Sequence, residues 1–304
     1  MKNILSLIIF LINILPNTLS AEDCFGTSCL NNEIRNNCTQ DFREGCINWN
    51  SRTIYAVGLG VPNTKFKSEA QRNYSARVAA EQVAMRNLLM MIQSVNISSE
   101  TTIQDGMLEN DSIRSKIQGS IKQIQPVGAP RYMSDGSVAV TMSMRLGKVV
   151  EVLSSDPGRG EFQVPKEIEG PKVVGSKNTS TSNSSTGSST GGVYTGLLII
   201  AEGMSVSPAL SPKILNEDGD VIYGYADVDR EFVTEQGMMG YLKDRTAALE
   251  NDRIRGNPLE LRALRTSGNH KADLVITNAD GNLLKQLNRT QTFLREARVI
   301  ILLK

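Results

Sequence analysis

Eighteen residues, Gly175 to Gly192, are almost wholly Ser, Thr, Gly and Asn. They hold no apolar side chain to bury, so no single core can run through them. Such a tract behaves as a flexible coil with a reach of roughly 20–25 Å. An irregular stretch with Pro157, Pro165 and Pro171 leads into it. The 304-residue chain is therefore expected to fold as two parts, in keeping with the size at which single cores stop growing. The expected organisation is a targeting segment (1–21), a Cys-rich extension (22–46), a first domain (47–153), a disordered linker (154–192) and a second domain (193–304). The expected class is α+β: two small α/β sandwich domains joined by the linker and preceded by a disulfide-stapled extension.

The first 21 residues follow a secretory pattern. Lys2 supplies the positive end, and Ile4 to Leu15 form an apolar run interrupted by Ser6 and Asn13. Pro16 ends the run, and Leu19-Ser20-Ala21 offers small residues for cleavage. About 20 apolar residues are needed to span a bilayer, so a transmembrane helix is disfavoured. Asp23 stands before Cys24, where a lipid-anchor signal needs a small residue. The mature chain is expected to be exported, to the periplasm or the outer membrane, with membrane contact only through partners.

Four cysteines, Cys24, Cys29, Cys38 and Cys46, follow the signal at close spacing. In an oxidising compartment an even count reads as two disulfides, with three connectivities open. Zinc is the competing reading, but the spacings lack the paired CxxC of most zinc sites. The intervening segment is rich in Asn and poor in apolar residues, so crosslinks would hold what burial cannot.

Composition excludes some functions. The chain has 33 Lys plus Arg against 32 Asp plus Glu, a formal charge of +1. A nucleic-acid binder needs a phosphate-neutralising excess of cations, so none is expected as partner. One histidine, His270, rules out sites that need two imidazoles from this chain.

The first domain opens with a strand over Thr53 to Val61, with Tyr55, Val57, Leu59 and Val61 on one face and small residues on the other. Ser68 and Gln71 form a capping-box pattern at the start of a helix. In that helix Ala76, Ala79, Ala80, Val83, Ala84, Leu88, Met91 and Ile92 recur at steps of three and four. Asn96 to Thr102 reads as a second strand, and Asp111 as the cap of a helix with Ile113, Ile117 and Ile121 on one stripe. Asp135-Gly136 predicts a hairpin turn. In the strand that follows, Val138, Val140, Met142, Met144 and Leu146 alternate with Ala139, Thr141, Ser143 and Arg145. The small, uncharged face Ala139, Thr141 and Ser143 lacks the Lys that guards edge strands, which makes it the candidate assembly face.

Ala56-x-Gly58-x-Gly60, Asn87-Leu88-Leu89, Ile97-Ser98-Ser99-Glu100-Thr101, Gln118-Gly119-Ser120-Ile121 and Val138–Leu146 resemble the 20-kDa Lpp outer-membrane lipoprotein family over residues 50–150. That family is similar to flagellar protein P and to the N-terminal domain of flagellar protein T. The resemblance implies a periplasmic or outer-membrane location and an assembly role around the flagellar motor, with no catalytic residues. The second half resembles a C-terminal domain attached to the same module in exported bacterial proteins.

In that half, Leu197 to Ala201 reads as a strand buried on both faces. Ile214–Leu215 and Val221–Tyr225 flank an Asp218-Gly219 turn. Asp229 is expected to cap a helix reaching Leu249. Strands Leu259–Leu264 and Leu274–Thr277, a helix from Ala279 to Leu287 and a strand from Val299 follow.

The chemical candidates are weak. Gly58-x-Gly60 lacks the third glycine of a dinucleotide fingerprint, and close packing of the Ala-rich helix explains it better. Glu217, Asp218 and Asp220 lack the twelve-residue calcium loop. Asp227 and Asp229 read as helix-capping residues before paired catalytic carboxylates, and His270 as a surface residue of a polar turn. No catalytic, cofactor or metal site is expected. The expected function is a non-enzymatic exported cell-envelope structural or assembly protein, associated with the flagellar basal body or outer membrane. Its partners would be envelope or flagellar proteins and copies of itself. The alternative is a periplasmic ligand-binding module for cell-wall polymer or lipid, which an apolar pocket between the domains would support.

Overall fold

The computed structural model describes residues 24–122, 124, 126–154 and 192–303. The signal-peptide reading and the linker reading, apart from its end residues Ser154 and Gly192, lie outside the described residues.

The N-terminal half is one antiparallel sheet with its longer helices on one face. Its elements are α1 (Asn32–Asn36), β1 (Gln40–Phe42), β2 (Gly45–Asn48), β3 (Thr53–Gly60), α2 (Glu69–Gln93), α3 (Ile103–Glu109), α4 (Asp111–Ile121), β4 (Arg131–Tyr132), β5 (Val138–Arg145) and α5 (Leu146–Ser154). The five strands lie in the order β1-β2-β3-β5-β4, and β3 pairs with β5 along its whole length, Gly58 opposite Val140.

The side of β3 that meets α2 is its small-residue side. Ile54 and Ala56 are fully buried there, facing Ala76, Ala80 and Ala84 of α2. A Cβ at Gly58 would overlap the Ala80 carbonyl and the Ala84 nitrogen, and one at Gly60 would overlap the Ala76 carbonyl. The two glycines are therefore spacers for helix-on-sheet contact. Asn87 is buried on the same helix and donates to the Val57 carbonyl at 2.7 Å.

The opposite face of β3 is covered by the N-terminal segment. Cys29, Leu30, Cys38 and Cys46 pack with Val57 and Ala139 into a second apolar cluster. Disulfides join Cys24 to Cys29 and Cys38 to Cys46, resolving the three connectivities. The stapled segment also packs as part of the first domain, since Cys46 falls inside β2, which pairs with β3. Composition could not show this docking, because the apolar surface the segment covers belongs to other strands.

Three local expectations are corrected. Ser68 makes no side-chain cap bond, so no capping box forms with Gln71. Asn96 to Thr102 is no strand; it touches strand geometry only at isolated bridges, Asn96 to Thr102 and Asn96 to Ala209. Asn110, not Asp111, caps α4, accepting from Ser112 and Ile113, and the unexpected α3 precedes it with a Thr102–Asp105 capping box. The chain also turns into α5 directly after β5.

The C-terminal half carries β6 (Leu197–Ile200), β7 (Ile214–Leu215), β8 (Val221–Tyr223), α6 (Arg230–Gln236), β9 (Gly240–Leu242), α7 (Arg245–Glu250), β10 (Leu259–Arg262), β11 (Arg265–Ser267), β12 (Asp273–Val275), α8 (Asn278–Leu287) and β13 (Val299–Leu302). Two four-stranded sheets result, β10-β6-β13-β9 and β11-β12-β7-β8. The first is parallel throughout, which is why β6 and β13 read as unbroken apolar runs. The helix expected from Asp229 to Leu249 is two helices with β9 between them. Gly237 ends α6 in a left-handed conformation (φ 76°), and Gly240 begins β9.

The halves are docked. One buried apolar cluster contains residues of both, and Trp49 meets Tyr241 edge to face at 5.4 Å. The Asn96–Thr102 segment is the main polar seam. Ser99 is 2 % exposed; its Oγ accepts from the backbone of Asp273 (2.8 Å) and Ala272 (3.2 Å) and donates to the Ser267 carbonyl. A backbone N–H from each of Leu210 and Ser211 is taken by the carbonyls of Asn96 and Ile97.

Candidate functional site

A polar concavity opens between the halves. The β2–β3 turn presents Asn50, Ser51 and Arg52, the end of β5 presents Arg145, α6 presents Thr234 and Gln236, and the loop after α7 presents Asn251 and Arg253. The cleft measures about 580 Å³, and Glu235, Asp252, Thr53 and Tyr55 also line it.

Local backbone chemistry places the arginines. Asn48 accepts from the Ser51 N–H at 3.0 Å, tightening the turn. The chain re-enters β3 through Arg52 at φ 53°, a left-handed conformation that costs a side-chain-bearing residue about 1–2 kcal/mol. From there Arg52 Nη1 reaches the Thr234 carbonyl at 3.1 Å. Arg253 Nη1 donates to the carbonyls of Ala297 (2.7 Å) and Gly237 (3.1 Å), and Nη2 to that of Gln236. Two guanidiniums therefore hold the C-terminal end of α6, where the helix dipole favours cations. Burial is the main cause that pushes Arg253 down to about 10, and the charge of Arg52 pushes the same way. Burial lowers Arg52 as well. Among the described residues, Arg52, Arg145 and Arg253 have no carboxylate ion-pair partner.

A second feature lies on α2. Tyr74 is 70 % exposed, Val78 37 % and the preceding Phe66 40 %. With Ala70, Gln71 and Ser75 they line a shallow, largely apolar groove.

The sequence candidates fall elsewhere. Ala139 is 4 % exposed beneath the disulfide-bonded segment, and Thr141 and Ser143 are half-buried. β5 is not an edge: β3 flanks one side, β4 and the Val127 N–H to Thr141 carbonyl bond the other. The geometric basis for an assembly face at Ala139, Thr141 and Ser143 is therefore removed. Asp220 bonds Asn216 and faces Lys285 at 3.7 Å, while Glu217 accepts from the Asn278 N–H. These acids serve a turn, and among the described residues no three His, Cys, Asp or Glu side chains gather around a metal position. Asp227 accepts from the Gly224 N–H and Asp229 pairs with Arg295 at 3.3 Å, so the two carboxylates are not a working pair. His270 is half-exposed, and its backbone N–H bonds the Ser99 carbonyl. Sequence reasoning missed the cleft because its arginines stand some 90 to 200 positions apart and no motif links them. Among the described residues, no helix is long and apolar enough to cross a membrane.

Fold and site define a disulfide-bonded, two-domain α+β protein with a polar, arginine-rich cleft. Residues 196–304 match the family model of the second domain of Treponema pallidum Tp0624. The C-terminal half is thus similar to that domain, and the match begins one residue before β6. No curated protein matches the chain.

Proposed function

We propose that this chain is a non-enzymatic, exported cell-envelope assembly protein that works by pairing with a second copy of itself through α2. The observation that carries the reading is the exposed ridge Ala70, Tyr74 and Val78, spaced four apart on one face of the helix and closed by the exposed, polar Gln82. The two large apolar side chains are neighbours on that ridge. A two-fold axis between them would set Tyr74 of one copy beside Val78 of the other, twice over. The same axis would lay Ala70 beside the aliphatic stem of Gln82 at each end. Apolar contacts would then fill the centre and amides the rim, as interfaces are ordinarily built. Isologous contacts require such self-complementarity, and exposed apolar patches mark interaction sites. Two disulfides suit an oxidising compartment. The periplasmic or outer-membrane setting and a role near the flagellar basal body rest on the resemblance of residues 50–150 to the lipoprotein and flagellar families. Light scattering on the full chain is expected to show a concentration-dependent dimer that Val78→Glu converts to monomer without loss of fold. A parent that stays monomeric, or a dimer that ignores Val78→Glu, refutes the reading.

The cleft favours a second reading, a ligand-binding module. Its polar lining supports a polar ligand and gives no footing for a lipid chain.

A further inference from the structure

We infer that the cleft between the halves binds an oxyanion carried on a hydroxyl-rich body, an acidic sugar, with Arg145 as the direct anion contact and Arg52 and Arg253 supplying the surrounding positive field. The inference is independent of the pairing through α2 and uses different residues.

Three observations carry it. First, guanidiniums from both halves converge on one concavity without a carboxylate partner among the described residues. Buried or half-buried charges are ordinarily paired, because carbonyl dipoles offset only part of the lost hydration. Arg145 is exposed at the end of β5, and its guanidinium engages no partner among the described residues. Arg52 spends one nitrogen on α6, leaving Nε and Nη2 for a ligand. Of the two carboxylates in the lining, Asp252 already pairs with Arg255 at 2.7 Å. Glu235 is exposed and is suited to accept from a sugar hydroxyl.

Second, Arg52 occupies a left-handed position that glycine would hold without strain. Strained residues held by their surroundings collect at binding sites. Here the strain keeps a cation at the point where the two halves meet.

Third, the rest of the lining is neutral and polar. Asn50, Ser51, Thr234, Gln236 and Asn251 offer hydroxyl and amide groups, and Tyr55 adds a ring. That mixture matches the alternating donors and acceptors of a sugar. A cleft of about 580 Å³ falls within the range of small-ligand sites.

Isothermal titration of the full chain with glucose 6-phosphate and with glucuronate, against neutral glucose and inorganic phosphate, tests the inference. Both acidic sugars are expected to bind with dissociation constants of about 1 mM or tighter, and glucose at least about tenfold more weakly. Arg145→Gln is expected to weaken both at least about tenfold while the melting temperature stays at the parent value. Arg131→Gln, on β4 outside the cleft, is the charge control and should bind as the parent does. No binding at about 10 mM, or equal losses in Arg145→Gln and Arg131→Gln, would overturn the site. Inorganic phosphate binding as tightly as glucose 6-phosphate would overturn the sugar assignment.

Discussion

Replacing Gly58 by Ala is the sharpest perturbation of the N-terminal half. The new Cβ would meet the Ala80 carbonyl and the Ala84 nitrogen, both backbone atoms of α2, short of ordinary contact by more than about 1 Å. No rotamer change can relieve this, so a 25-residue helix must shift. That shift would open the seam along Ala76, Ala80 and Ala84, each fully buried. A gap of about 1 Å forfeits a quarter to a half of the dispersion attraction along such a seam. Against this, the methyl gains about 0.8 kcal/mol of burial, and a stiffer unfolded chain gains about 0.4–1 kcal/mol. Measured overpacking costs, already net of such gains, are typically about 1–3 kcal/mol and more when backbone must move, so a loss of about 2 kcal/mol or more is expected, about 4–8 °C in melting temperature. Gly119→Ala is the control. Nothing lies within 4 Å of its added Cβ in α4, so it is expected to stabilise by about 0.5–1 kcal/mol. Urea denaturation measures both. A Gly58→Ala protein within about 0.5 kcal/mol of the parent would refute the spacer argument.

Cys38→Ser with Cys46→Ser is expected to cost about 2.5 kcal/mol for a loop of this length. The loss should fall on the first domain as a whole, because Cys46 lies in β2 beside β3, and exchange of β3 amides reads it. Ser99→Ala should cost about 1–3 kcal/mol by stranding buried backbone N–H groups, with faster hydrogen exchange at Ala272 and Asp273, whose N–H groups Ser99 holds. Burial raises the Asp273 carboxyl above its ordinary value. The charged form is therefore disfavoured in the folded state, and its stabilising contribution, complete at low pH, is lost as pH rises above about 4. Asp273→Asn keeps an acceptor for the Lys213 N–H, so it should match the parent in acid and exceed it at neutral pH in thermal melts. Asp105 shows the opposite sign: its bonds from Thr102 lower it, and Asp105→Ala should lose about 1 kcal/mol near neutral pH and less as pH falls below about 4. Proteolysis within residues 154–192 should give two fragments that still co-elute, since the halves share a buried cluster.

Periodicity in the sequence located most elements because it follows directly from burial on one face. The Ala-rich face of α2, the Ile113–Ile117–Ile121 stripe and the alternation of β5 all stand where the pattern put them. The Asp135-Gly136 and Asp218-Gly219 turns also form, with Gly136 and Gly219 at positive φ. Misreadings arose where long-range contact decides. Asn96–Thr102 carries β-branched residues, yet the carbonyls of Asn96, Ile97 and Ser99 accept from the other half of the chain. The Cys-rich segment looked coreless because the apolar face it covers, Val57 and Ala139, comes from β3 and β5. The helix beyond Asp229 broke at Gly237 because β9 completes a parallel sheet with β13. The cleft was invisible for the same reason: pairing of β3 with β5 brings Arg52 and Arg145 together, and Arg253 joins them only where the halves dock.

Self-pairing through α2 is read out by mixing Tyr74→Cys and Val78→Cys proteins and treating them with a short thiol-to-thiol crosslinker. The two-fold pairing predicts a crosslinked dimer that joins one variant to the other in excess over either variant joined to itself. Equal yields of all three pairings, or no crosslinked dimer, would contradict it.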